Sequence, residues 1–76
     1  MDAQQLTVRV RDRGWRIVDI AVNRSGQVVY SVKLDSPGIA AMFHNDLADL
    51  VMRRATLEQI AARNNGADLA NPWPVC

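Results

Sequence analysis

Residues 15–34, WRIVDIAVNRSGQVVYSVKL, carry the strongest structural signal in the chain. Apolar side chains recur at every second position over 18–22 and again over 28–34, which predicts two strands within 15–22 and 28–34. Asn23 and Gly26 stand first and fourth in the intervening Asn-Arg-Ser-Gly segment, as in tight turns between antiparallel strands. The stretch therefore predicts a β-hairpin with an apolar face formed by Val18, Ile20, Val22, Val28, Tyr30, Val32 and Leu34.

The residues before this hairpin show the same alternation. Leu6, Val8 and Val10 are separated by polar residues, so residues 6–11 are predicted to form a strand with one apolar face. Arg11-Asp12-Arg13-Gly14 then has the composition of a type I turn ending in glycine. These features predict a three-stranded antiparallel meander.

The apolar period changes after the hairpin, at Asp35-Ser36-Pro37. Ser36 is a favourable helix N-cap and Pro37 a favourable first helical residue. A long amphipathic helix is predicted from residue 37, with its apolar stripe formed by Ile39, Phe43, Leu47, Leu50 and Val51.

A second helix is predicted after a break near Ala55. Thr56 and Gln59 have the spacing of a capping box, which predicts a short helix over 57–64. The alternative is one continuous helix over 37–64. Residues 56–63 also resemble the first helix of a helix-turn-helix, but too little chain follows for a recognition helix.

The predicted fold is therefore α+β. A three-stranded antiparallel β-meander packs against one long α-helix, with a short second helix and an extended C-terminal tail. Residues 1–66 form a single β-β-β-α(α) domain, and residues 67–76 form the tail. Pro72 and Pro74 keep that tail extended around Trp73.

Composition argues against most enzyme classes. The 76 residues include one cysteine, Cys76, and one histidine, His44, so neither an internal disulfide nor a Cys/His metal cluster is expected. No paired carboxylates, catalytic triad or phosphate-binding glycine loop is evident. The sequence predicts a protein that is not an enzyme and needs no cofactor or metal.

Charge is distributed unevenly along the chain. Residues 1–34 carry six cationic side chains and three carboxylates, whereas residues 35–76 carry three and five, for a net charge of +1. The first residues show neither the positively charged nor the apolar segment of a secretory leader, so none is expected, and no apolar run approaches the ~20 residues that span a bilayer. A cytoplasmic location is expected, with no membrane partner.

The face of the sheet opposite the helix is the predicted binding surface. One helical layer covers one face only, and the other combines arginine with tryptophan, residues enriched where proteins bind each other. The candidate partner-binding residues are Arg9, Arg11, Arg13, Trp15, Ile17, Val29, Lys33 and, in the tail, Trp73. An ordinary solvated face, or one covered by Trp73, is the alternative.

These features predict a small non-enzymatic protein-binding module, an inhibitor or regulatory accessory protein. In size and layout, though in no motif residue, the chain is similar to small phage- and plasmid-encoded anti-defence proteins, anti-CRISPR proteins among them. One alternative is a nucleic-acid-binding protein that uses the basic sheet face. Another is a structural subunit whose open face forms a homodimer.

Overall fold

The computed structural model describes residues 1–35 and 37–65. Its three strands form one antiparallel sheet in the order β1-β2-β3. The α+β class is confirmed, as are three antiparallel strands, but only two of them are strands predicted from the sequence, and the order of elements is α-β-β-β-α-α. The elements are α1 Ala3–Asp12, β1 Arg16–Val22, β2 Val28–Lys33, β3 Ile39–Phe43, α2 His44–Val51 and α3 Leu57–Arg63.

The predicted strand over 6–11 is wrong, because these residues belong to α1. Asp2 accepts a hydrogen bond from the N–H of Gln5 at 2.8 Å, and the Gln5 side chain accepts one from the N–H of Asp2 at 3.1 Å, which is a capping box. Leu6 and Val10 are buried, whereas Val8 is exposed. Positions 6 and 10 share a face in a helix as well as in a strand, so the alternation did not discriminate between them.

The predicted turn over 11–14 is the C-terminal end of α1. The N–H of Trp15 donates to the carbonyl of Val10 at 3.1 Å, and that of Gly14 to the carbonyl of Arg11 at 2.9 Å. This pair of bonds is a Schellman motif. Gly14 has φ 78°, a left-handed conformation that favours glycine.

The predicted hairpin is confirmed in β1 and β2. The Asn23 side-chain oxygen accepts hydrogen bonds from the N–H groups of Ser25 and Gln27, both at 2.9 Å. Gly26 has φ 83°. Turn chemistry within five residues therefore determines where the chain reverses.

A β-bulge in β1 changes which side chains face the helices. Val18 is the extra residue, because Ile17 lies opposite Val32 and Asp19 lies opposite Ser31. Ile17 therefore packs on the helix side of the sheet. Its predicted place on the opposite face is wrong, since strict alternation does not continue through a bulge.

Residues 39–43, predicted to begin the long helix, form β3. β3 pairs antiparallel with β2, with Met42 opposite Tyr30. An apolar run of this length suits either a helix or a buried strand, and the open edge of β2 decides in favour of the strand. Pro37 precedes the strand instead of starting a helix, and the predicted N-cap, Ser36, lies outside the described residues.

The prediction of one long helix is also wrong, as is the continuous alternative. The predicted break near Ala55 is confirmed, because α2 ends in a second Schellman motif. Here the N–H of Arg54 donates to the carbonyl of Asp49 at 2.8 Å, and that of Arg53 to the carbonyl of Leu50 at 3.2 Å. The predicted capping box, Thr56 with Gln59, then starts α3.

All three helices pack against one face of the sheet, where they form a single core. No helix in the described part of the chain is long and apolar enough to cross a bilayer. Trp15, Ile17 and Leu34 pack around this core. The buried core side chains are Leu6, Val10, Tyr30, Val32, Met42, Leu47, Leu50, Val51 and Ile60.

Candidate protein-binding surface

The two edge strands of the sheet differ in how they are protected against further pairing. β1 carries a bulge at Val18 and two charged residues, Arg16 and Asp19. Bulges and edge charges are common devices against edge-to-edge association. β3, with the sequence Ile-Ala-Ala-Met-Phe, has neither feature and pairs only with β2 among the described residues. Of the two edge strands in the described structure, β3 is therefore the one with less protection against further pairing.

A groove runs beside β3, between that strand and α3. Its volume is about 400 Å³. Small side chains, Ala40 on β3 and Ala61 on α3, line the groove, and Leu57 at its wall is 39% exposed. The apolar lining residues are Ala40, Ala41 and Met42 on β3, with Leu57, Ile60 and Ala61 on α3.

The residues predicted to bind a partner do not form one surface. Arg9 and Arg11 are exposed on α1, away from the sheet. Arg13 is the C-cap of α1, with its guanidinium carbon 4.4 Å from the centre of the Trp15 ring. Arg13 and Trp15 are therefore in direct contact, whereas Trp73 lies outside the described residues.

The sheet face opposite the helices carries Val29 and Lys33 but is not open at its centre. Val29 is fully buried and Ser31 is nearly so. Phe43 lies directly opposite Val29 on this face and is half-buried. The arginines and the tryptophan predicted to share this face lie elsewhere in the described structure. Arg9 and Arg11 lie on α1, Arg13 is the C-cap of α1, and Trp15 packs against the core.

A second exposed apolar area lies at the hairpin end of the sheet. Ile20 lies opposite Tyr30 and Val22 lies opposite Val28. Ile20, Val22 and Val28 are exposed although they face the helix side, so the helical layer ends before it covers them. These aliphatic side chains form a small patch next to the bulged edge of β1.

His44 takes part in a polar contact between three elements. Its Nε2 lies 2.7 Å from the carbonyl oxygen of Met1, and its Nδ1 lies 2.9 Å from the Tyr30 hydroxyl. A carbonyl only accepts, so Nε2 donates to Met1, and Nδ1 is left to hydrogen-bond with the Tyr30 hydroxyl. Burial raises the pKa of the Tyr30 phenol above its ordinary value. The cluster ties the start of the chain to β2 and α2.

Carboxylates and Arg63 hold α3 against α2. Arg63 Nη2 lies 2.6 Å from Asp46 and 3.0 Å from Asp49, and the Asn64 amide donates to Asp46 at 2.6 Å. The hydrogen bond to Asp49, and then the contacts with Asp46, raise the pKa of Arg63. These contacts connect two helices, and spacing along one helix does not reveal them.

Within residues 1–35 and 37–65, no three His, Cys, Asp or Glu side chains lie close enough together to hold a metal ion. No protein-family model matches the chain, no curated protein matches it, and no solved structure matches it. The strongest candidate surface is therefore the one that the fold itself leaves available, the β3 edge with its groove.

Proposed function

We propose that this chain is a non-enzymatic protein-binding module that binds an extended segment of a partner protein as a fourth strand beside β3. One observation carries the proposal: β3 is an uncharged, unbulged edge that lies beside an apolar groove. Strand addition uses the backbone groups of such an edge for affinity and adjacent pockets for specificity.

The groove determines the kind of segment that fits. In an added strand, alternate side chains point to the same side of the sheet. Those on the helix side enter the groove between β3 and α3, where Leu57 and Ala61 contact them. Those on the other side lie next to Ile39, which is 60% exposed. The preferred segment is extended, with medium-sized apolar residues at alternate positions.

This mode of binding suits an inhibitor or a regulatory accessory protein, including the anti-defence type that mobile elements encode. A small domain that pairs with an extended segment covers that segment and needs no chemistry of its own. The proposed contact surface is the β3 edge and not the arginine–tryptophan face that the sequence predicted.

The test uses peptides selected for binding to this chain from a random display library. Binding is located by amide chemical shifts of the labelled chain. We expect the selected peptides to alternate apolar and polar residues and to shift the amides of β3. Ile39→Lys and Leu57→Glu should each weaken binding about tenfold or more, because each places a charge where an apolar side chain packs.

The two variants introduce opposite charges, so a loss in both cannot reflect attraction or repulsion of a charged peptide. Val8→Glu is the matched control, because Val8 is 44% exposed on α1 and does not line the groove. Peptides that shift other residues, or that bind both variants normally, would contradict the proposal. A dimer that Ile39→Lys converts to a monomer would show that a second copy occupies the edge. Oligonucleotide binding that weakens steeply with salt would favour the nucleic-acid alternative.

A further inference from the structure

Three arginines line one cleft where the C-terminal ends of α1 and α2 meet the start of α3. Arg13 comes from the end of α1, and Arg53 and Arg54 come from the turn between α2 and α3. The cleft has a volume of about 260 Å³, and no carboxylate lines it. Its other lining residues are Leu50, Ala55, Thr56 and Gln59.

Arg13 is held in place by two contacts. Its guanidinium stacks on the Trp15 ring at 4.4 Å, and Nη1 donates to the carbonyl of Leu50 at 3.5 Å. That long bond occupies one of five N–H groups, so the others are available to a ligand. A guanidinium that is already ordered loses less conformational entropy when an anion binds.

Arg53 occupies a position at which glycine is usual. It has φ 62° and is the only non-glycine residue with positive φ in the described part of the chain. The equivalent position at the end of α1 is Gly14, in the same Schellman motif. A strained backbone conformation at a non-glycine residue is a reason to look for a function of its side chain.

Contacts with a helix end or a carboxylate account for two of the three arginines. Arg13 reaches a terminal carbonyl of α2, and Arg54 lies 3.9 Å from Asp49. Asp49 is already bound by Arg63 at 3.0 Å. Arg53 has no carboxylate partner within residues 1–35 and 37–65, although it lies on the same cleft. The cleft therefore holds more positive charge than the surrounding side chains neutralise.

We infer that this cleft binds a single phosphate monoester group, carried on a phosphorylated side chain of a protein. Arginine forks match the oxygens of phosphate, and several arginines around one point are the usual way to bind such a dianion. The cleft volume of about 260 Å³ accommodates one phosphate group. A nucleic acid would need a track of cations, whereas the whole chain has a net charge of only +1. This site shares no residue with the groove at β3, so either proposal can fail without the other.

The experiment titrates the labelled chain with inorganic phosphate, and with sodium chloride at matched ionic strength. We expect phosphate to shift the amides of residues 53–56 in a saturable manner that chloride does not reproduce. Arg53→Gly and Arg54→Gln should each weaken binding about tenfold, since each removes charge-assisted hydrogen bonds. Arg24→Gln, in the exposed hairpin turn, is the matched control and should leave binding unchanged.

A phosphoserine peptide should bind more tightly than its unphosphorylated form, with the same dependence on Arg53 and Arg54. Glycine is favoured at position 53, so lost binding in Arg53→Gly cannot be attributed to unfolding. Shifts that chloride reproduces, or that persist in both variants, would overturn the inference. Binding of an oligonucleotide through these arginines without saturable phosphate binding would also overturn it, in favour of a nucleic-acid site.

Discussion

Tyr30 is buried in the core, and its hydroxyl lies 2.9 Å from Nδ1 of His44. The phenolate is disfavoured in this apolar environment, so the pKa of Tyr30 is raised above its ordinary value of 10.0. A group whose folded-state pKa is raised stabilises the fold fully below its unfolded pKa. That contribution is lost as the pH rises through the folded pKa.

We therefore predict that the free energy of unfolding falls above pH 10.0, because Tyr30 ionises more readily in the unfolded chain than in the folded one. Tyr30 is the only tyrosine, so its phenolate absorbance reports this residue alone. The absorbance midpoint should lie above 10.0 in the folded chain and return toward that value in urea.

Tyr30→Phe is the control for this prediction. It should cost about 1 kcal/mol at neutral pH, because the hydrogen bond to His44 is lost. It should also remove the part of the alkaline destabilisation that is due to Tyr30. Equal loss of stability in both proteins above pH 10.0 would contradict the prediction.

The positive φ of Arg53 also affects the free energy of unfolding. Arg53→Gly should stabilise the fold by about 0.5–1 kcal/mol, since glycine adopts positive φ without steric cost. The matched change is Gly14→Ala, where an added Cβ meets no atom within 4 Å. It should destabilise by about 1 kcal/mol through φ alone. Urea unfolding measures both, and destabilisation by Arg53→Gly would contradict the strain argument.

At the scale of elements, α3 depends on contacts that its own sequence does not supply. It has seven residues, too few for an isolated helix to be stable in water. One apolar side chain, Ile60, is buried, and Arg63 and Asn64 bind Asp46 on α2. α3 is therefore held by its capping box, Ile60 and this polar clamp.

We predict that Asp46→Ala destabilises the domain by about 1–2 kcal/mol, because Asp46 is buried and accepts bonds from two α3 side chains. Amide exchange should increase most in α3. Glu58→Ala, at an exposed position of α3, is the control and should change stability little. Equal exchange rates along α3 in wild type and Asp46→Ala would show that the clamp does not hold the helix.

The helix boundaries show which local sequence patterns predict a helix start or end correctly. The capping box at Thr56 and Gln59 predicted α3 correctly, and the same chemistry at Asp2 and Gln5 would have identified α1. The end of α2 was harder to place, because its left-handed residue is Arg53 and not the glycine that usually marks such an end.

The mass of the whole molecule in solution depends on what the β3 edge binds. If the β3 edge binds an extended segment of a different protein, the isolated chain should be a monomer of 8.4 kDa. Light scattering during size exclusion, with reductant to keep Cys76 reduced, measures this mass. A stable dimer would favour the homo-oligomer alternative, and Ile39→Lys would then test whether β3 forms its interface.

The sequence alone determined the α+β class, the β1–β2 hairpin, the break near Ala55 and the start of α3. Each depends on alternation, turn chemistry or capping within a few residues. Tertiary structure decided that 39–43 form a strand, because the open edge of β2 needed a partner. It also decided that Ile17 turns toward the core at the bulge and that Arg13, Arg53 and Arg54 share a cleft. These outcomes depend on contacts between residues distant in sequence, which local periodicity does not specify.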